Sequence, residues 1–132
     1  KGMIDHNSYD KDNETNYINY HHAEINRELV DYYRGLISLR RNYEAFRRAV
    51  YTDVSFVDFK NNPLALEYKL KYKGEEFVVL LNANPKLNLD VNLPGGEWEV
   101  LIDENSAGVT LLRTISDNIS VLPSSGIVLK KK

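Results

Sequence analysis

The sequence contains no cysteine among its 132 residues. Disulfides, thiolate metal sites and a cysteine nucleophile are therefore excluded. The compartment is not fixed by this, and secreted, cell-surface and cytoplasmic bacterial settings all stay open. No sign of charge dominates: 17 Lys and Arg face 19 Asp and Glu, for a formal net charge of -2. Without a basic excess to neutralise phosphates, nucleic-acid binding is disfavoured. No apolar run approaches the roughly 20 residues that a membrane-spanning helix needs, so no membrane span is expected. The opening KGMIDHNSYD has no hydrophobic signal-peptide stretch, and it starts Lys-Gly, as an excised fragment would. No G-x-S-x-G elbow, Walker loop or G-x-G-x-x-G turn occurs. What the chain does have is 42% apolar residues, enough to bury a core.

The period of the apolar residues changes along the chain. Residues 1–20 are rich in Asn, Asp and Ser, which compete for backbone hydrogen bonds and favour loop over helix. Ile4, Tyr9, Tyr17, Ile18 and Tyr20 are interleaved, which predicts an ordered loop rather than a linker. From about residue 22 to 43, Ile25, Leu29, Tyr32, Leu36, Leu39 and Tyr43 recur at steps of three or four. That spacing predicts an amphipathic helix, with Tyr33, Ile37 and Phe46 widening its stripe. Acidic residues come early and Arg40, Arg41, Arg47 and Arg48 late, as the helix dipole favours. Gly35 falls mid-helix, where it marks either a close approach to another backbone or simple tolerance.

After residue 50 the period becomes two. Leu64, Leu66, Tyr68, Leu70 and Tyr72 alternate with Ala65, Glu67, Lys69 and Lys71. Leu87, Leu89, Val91 and Leu93 follow the same rule, as do Trp98, Val100 and Ile102. These segments predict half-buried antiparallel strands. Phe77 to Leu81 is apolar on both faces and predicts a central strand. Turn signals at Lys73-Gly74, Asn84-Pro85, Pro94-Gly95-Gly96, Ala107-Gly108 and Ser124-Ser125-Gly126 separate the runs. A sandwich over residues 51–132 is the expected architecture.

The chemistry-bearing residues form no familiar constellation. Asp10, Asp12 and Glu14 open like a calcium loop, but Thr15 holds the glycine position and His21 the closing glutamate position, so an EF-hand is rejected. His21 and His22 are adjacent and point apart on a helix, so they cannot chelate as an i, i+4 pair. No zinc motif and no metal site follow from His6, His21 and His22. Tyr68, Tyr72 and Trp98 could stack on sugars, but their strand faces are apolar, which favours a core role. Carboxylates are plentiful without a recognisable acid/base pair.

Three stretches nevertheless resemble the C-terminal end of type I pullulanases, in the α-amylase superfamily of glycoside hydrolases. Lys1, Asn7-Ser8-Tyr9 and Asn16-x-Ile18-x-Tyr20 are similar to the family's K-x5-N-S-Y…N-x-I-x-W segment, with Tyr20 where Trp is usual. Gly35 to Arg47, reading GLISLRRNYEAFR, resembles the G-L-I-x-L-R-x…A-F-R run of the last barrel helix. Val78 to Asn82, Trp98-Glu99-Val100, Ala107-Gly108 and Ser125 to Leu129 resemble the strands of the domain that follows.

The resemblance implies an α+β fragment: the last loop and helix of a (β/α)8 barrel over 1–50, then an all-β antiparallel sandwich over 51–132. It implies a pullulanase-like parent that hydrolyses α-1,6-glucosidic bonds in pullulan and branched starch or glycogen with a nucleophile and an acid/base carboxylate. Both carboxylates would lie upstream, so no residue here is expected to be catalytic and the fragment alone is expected to be inactive. Loops that follow barrel strands line the active site, which makes Asn7, Tyr9 and Asn16 candidates for contact with an α-glucan. Asn offers a donor and an acceptor to sugar hydroxyls, and Tyr can stack on a pyranose. The alternative is that these residues only hold the loop to the rim. No cofactor is evident, and calcium in the parent is left open. The helix stripe is expected to pack on the absent catalytic barrel. Two other readings remain: a non-catalytic glucan-binding or structural sandwich module, recognisable by exposed coplanar aromatics on one face, and the C-terminal part of another α-amylase superfamily enzyme.

Overall fold

In a computed structural model, residues 19–60 and 62–132 are described. The chain divides into two units, residues 1–30 and 31–132. In the first, helix α1 spans His21–Ile25, and His21 Nδ1 lies 2.9 Å from Glu24 Oε2. Helix α2 spans Arg27–Asn42 and the short α3 Ala45–Arg48. None of the described helices is long and apolar enough to cross a membrane.

Among the described residues eight strands follow: β1 (Val54–Val57), β2 (Ala65–Tyr72), β3 (Glu75–Asn82), β4 (Leu89–Asn92), β5 (Trp98–Ile102), β6 (Arg113–Ile115), β7 (Asn118–Val121) and β8 (Ser125–Lys131). Six form one sheet in the order β1-β2-β3-β8-β5-β6, and β4 pairs with β7 in a second. Every pairing is antiparallel. The doubly apolar β3 lies inside the large sheet, between β2 and β8, as its composition predicts. The β2–β3 hairpin turns on Lys73 and Gly74, both at positive φ (48° and 86°), the geometry that suits a two-residue loop between right-twisted strands.

The large sheet is covered on both faces, which explains where simple alternation fails. Toward the β4–β7 sheet, Val78, Leu80, Trp98, Val100, Ile127 and Leu129 meet Leu89, Val91, Ile119 and Val121. On the other face Leu70, Phe77, Val79, Leu101, Ile102 and Val128 meet Leu39 and Ala45 of the helices. A bulge between Val100 and Ile102, which pair with the consecutive Leu129 and Val128, places Leu101 and Ile102 both in the helix-side cluster. Glu67, expected on a solvated face, is buried because that face of β2 lies over the inter-sheet core. Burial raises its pKa, partly offset by Lys69 at 3.7 Å. Leu64 and Leu66, expected inside, are exposed. Asn82 ties the two sheets together: its Nδ2 donates to the carbonyls of Leu87, Val121 and Leu122 at 2.8, 3.1 and 3.0 Å.

The helix stripe divides. Leu36, Leu39 and Tyr43 turn onto the large sheet, whereas Leu29, Tyr33 and Ile37 are exposed. Tyr43 and Phe46 meet Phe77 edge-on, at ring centroid distances of 5.1 and 4.8 Å. Such pairs contribute about 0.5–1.5 kcal/mol each beyond area burial. At the middle of α2, Gly35 faces the carbonyl of Ala107 so closely that a Cβ there would collide with the oxygen. The mid-helix glycine is therefore a contact requirement, not tolerance.

The turn that carries Ala107 is held by Asp103. Its Oδ1 accepts from the backbone N–H groups of Asn105 and Ser106, both at 3.0 Å, and its Oδ2 accepts from Arg113 at 2.6 Å. Its own carbonyl accepts the Tyr32 hydroxyl at 2.8 Å. Burial alone would raise the Asp103 pKa, but the Arg113 hydrogen bond, the two backbone donors and the Arg113 charge together hold it below the usual value.

Two predictions follow from this seat. Gly35→Ala should lower stability by about 1–3 kcal/mol, despite the better helix propensity of Ala, because the added methyl meets backbone that cannot rotate away. Thermal unfolding checks it, and an unchanged or higher Tm would contradict the close approach. A carboxyl with a depressed folded pKa contributes stability above its unfolded pKa and loses it as pH falls toward the folded value. Asp103→Asn should therefore cost about 1–2 kcal/mol near pH 7, allowing for the half-exposed Arg113, and flatten the loss of stability below about pH 4. Urea unfolding of both proteins from pH 7 to 3 measures this directly.

Candidate functional site

The predicted sugar-contacting residues Asn7, Tyr9 and Asn16 lie outside the described residues, as does His6. The structure instead leaves a cavity on residues 31–132 at the edge of the helix-side core. Between α2 and the large sheet runs a cavity of about 400 Å³, with Leu36 and Arg40 on the helix side and Tyr68, Leu81 and Gly126 on the sheet side. Its sheet wall follows from register. Tyr68 lies opposite Val79, which lies opposite Val128; in the neighbouring row Leu66 lies opposite Leu81, which lies opposite Gly126. Gly126 keeps the floor open, since a Cβ there would come within 2.8 Å of Leu81. The rim is apolar and incompletely covered, with Leu66 and Leu81 exposed and Phe56 beside Tyr68 at 6.0 Å between ring centroids.

The lining contains no catalytic arrangement. Its titratable groups are the phenols of Tyr32 and Tyr68, both pushed up by burial, Tyr32 also by the nearby Asp103 and Glu104, together with the Arg40 guanidinium. Among the described residues, no three His, Asp or Glu side chains gather as a metal site would require. The arrangement can accept an apolar surface and one or more anionic groups, and nothing in it polarises or attacks a bond.

The aromatics singled out from the strands, Tyr68, Tyr72 and Trp98, are not placed for sugar stacking. Trp98 is fully buried, donates Nε1–H to the Pro94 carbonyl at 2.9 Å, and is covered by the Lys131 ammonium at 5.0 Å from the ring centroid. Lys131 in turn donates to the Gly95 carbonyl at 2.8 Å, so this cluster closes the turn before β5. Tyr68 and Tyr72 are half-buried in the helix-side core. Phe56 and Tyr68 are inclined at 52°, not coplanar. Sequence reasoning missed the Asp103–Arg113–Tyr32 linkage and the role of Arg40. The Asp-Glu-Asn-Ser run at 103–106 does carry the composition of a side-chain-capped turn, but nothing local identifies Arg113 or Tyr32 as its partners.

No protein-family model matches the chain. Solved structures do. A pullulanase from Bacillus acidopullulyticus superposes with a TM-score of 0.80 over 94% of this chain and 16% of its own, at 24% identity. A type I pullulanase from Bacillus subtilis, solved with maltose, gives 0.73 over 89% of this chain and 17% of its own, at 24% identity. The trehalulose synthase of Pseudomonas mesoacidophila gives 0.59 over 80% of this chain and 19% of its own, again at 24% identity. The chain spans about a sixth of the length of the pullulanases it matches. Its small, β-rich fold, with few helices on an antiparallel sheet, is that of the C-terminal domains of pullulanase-type structures.

Proposed function

We propose that this chain is the C-terminal part of a pullulanase-like glycoside hydrolase that cleaves α-1,6-glucosidic bonds in pullulan and branched starch or glycogen. The observation that carries the reading is the fold likeness over nearly the whole chain, helices included, to about a sixth of each pullulanase. The higher TM-scores with the pullulanases than with the trehalulose synthase favour this branch over other α-amylase superfamily enzymes. The half of the helix stripe left exposed, Leu29, Tyr33 and Ile37, supports a catalytic barrel packing there, because an isolated domain gains nothing from an uncovered apolar row.

In this reading the chemistry belongs to the rest of the parent. Two carboxylates would act in turn as nucleophile and acid/base through an oxocarbenium-like transition state. This chain supplies the last active-site loop, the last barrel helix and the domain that braces it. Asn7, Tyr9 and Asn16 are the proposed contacts to the glucan, resting on the N-S-Y and N-x-I-x-Y segments. The burial of Trp98 and the inclined Phe56–Tyr68 pair remove the strand aromatics as a stacking platform for a self-contained glucan-binding module.

The 132-residue chain should release no reducing ends from pullulan, while the full-length parent should do so. Turnover by the pure fragment, lost when its own carboxylates are replaced, would contradict the reading. In the parent, Asn7→Ala or Tyr9→Ala should lower kcat/KM by roughly tenfold, about 1.4 kcal/mol, with Tm unchanged. A fall in Tm with kcat/KM intact would leave these residues a loop-holding role only.

A further inference from the structure

Among the described residues two carboxylates are buried, Glu67 and Asp103, and their surroundings differ in kind. Asp103 accepts from two backbone N–H groups and a guanidinium. Glu67 keeps 4% of its surface exposed and has no such set of donors. The Lys69 ammonium, two residues along the same face of β2, lies 3.7 Å away, too far for a strong hydrogen bond, and is itself partly exposed. Register sets Glu67 between Val57, the last residue of β1, and Leu80 of β3, which is fully buried in the inter-sheet core. Phe59, two residues past the end of β1, packs against that same core, while Asp58 and Lys60 on either side of it are exposed.

A carboxylate held out of water needs donors or a close counter-charge, and otherwise favours its neutral form. Few charges face Glu67. β1 carries none, and Val78 and Asn82, which share the face of Leu80 on β3, are uncharged. Across the core Leu89, Val91, Ile119 and Val121 of the small sheet are apolar. Lys69 is the one charge that favours ionisation, burial outweighs it, and Asp58 and Lys60 do not act on the group. Topology sets the route by which water reaches this carboxylate. Moving β3 would open the inter-sheet core. β1 is four residues long, lies at the edge of the sheet and pairs with β2 alone, so it is the element that yields first.

We infer that Glu67 is a proton-operated latch on the β1 edge. Protonated, it lets Val57 and Phe59 close over the inter-sheet core. Ionised, it admits water there and loosens β1 and the segment after it. The sign follows from linkage: a carboxyl that holds its proton more tightly in the closed state favours closure fully at pH below its open-state pKa, and loses that contribution as pH rises through the closed-state value. The latch faces away from α2, so it does not rest on the proposed function.

Amide hydrogen exchange of the 132-residue chain, corrected for intrinsic rates, should show residues 54–57 opening roughly threefold or more often at about pH 7.5 than at about pH 5. Glu67→Gln, which keeps the shape of the neutral form, should hold β1 at its low-pH protection across that range and raise Tm at about pH 7.5. Lys69→Met should lower the pH at which β1 begins to tighten no further than in the wild type, and should instead extend the tight state to higher pH. Carbon-13 NMR of the wild-type chain needs no variant to fold: the Glu67 carboxyl should titrate above the ordinary glutamate value of 4.5. Titration at or below that value, β1 protection independent of pH, an unaltered pH response in Glu67→Gln, a response abolished by Asp103→Asn, or a lower Tm of Glu67→Gln at about pH 7.5 would each overturn the inference. None of these outcomes bears on whether the full-length protein hydrolyses pullulan, so the two readings fail separately.

Discussion

The close approach of Gly35 to the carbonyl of Ala107 sets where α2 lies on the sheet. A helix can sit this near to another backbone only where it presents no Cβ, and one residue in the row satisfies that. The approach needs a rigid turn opposite it. Asp103 supplies the rigidity by accepting from two backbone N–H groups and Arg113, while the Tyr32 hydroxyl, one turn before Gly35, bonds the Asp103 carbonyl. With those contacts made, Leu39 drops into the helix-side core and Tyr43 and Phe46 close on Phe77. The helix and the turn thus hold each other in place, and the cavity beside Leu36 and Arg40 is the space this placement leaves uncovered.

Much of this was legible in the sequence wherever one local rule decides a segment. Alternation finds β4 and β5, and the doubly apolar Phe77 to Leu81 run finds the strand inside the sheet. The Lys73-Gly74 turn is readable because only a few residue types accept its backbone angles. The reading fails where two layers compete for one strand. Glu67 looks solvated and is buried, while Leu64 and Leu66 look buried and are exposed, because a six-stranded sheet meets helices on one face and two short strands on the other. Leu101 and Ile102 share a side through a bulge that no residue type announces. The partition of the helix stripe is also invisible in one dimension. Leu36 and Ile37 are adjacent and equally apolar, yet one is turned to the sheet and the other to the outside.

That partition connects fold to function. A helix with one apolar edge seated on its own domain and another left open, bordered by arginines, is built to stand between two bodies. In the proposed reading the second body is the catalytic barrel. The contacts at Gly35 and Asp103 limit how far α2 can rotate or slide on the sandwich. Asn82 and the Trp98–Lys131 cluster serve the same end more remotely, since they fix the small β4–β7 sheet and the turn before β5 against the large sheet.

The central claim is that α2 and the sandwich are one cooperative unit, joined at Gly35, Ala107 and Asp103. Native-state amide hydrogen exchange of the 132-residue chain tests it most directly, because segments that open separately show separate free energies. The amides of residues 36–42 should exchange with the same free energy as those of residues 77–81 in β3, to within about 1 kcal/mol. Exchange of residues 36–42 at a free energy several kcal/mol lower, with β3 still fully protected, would contradict it.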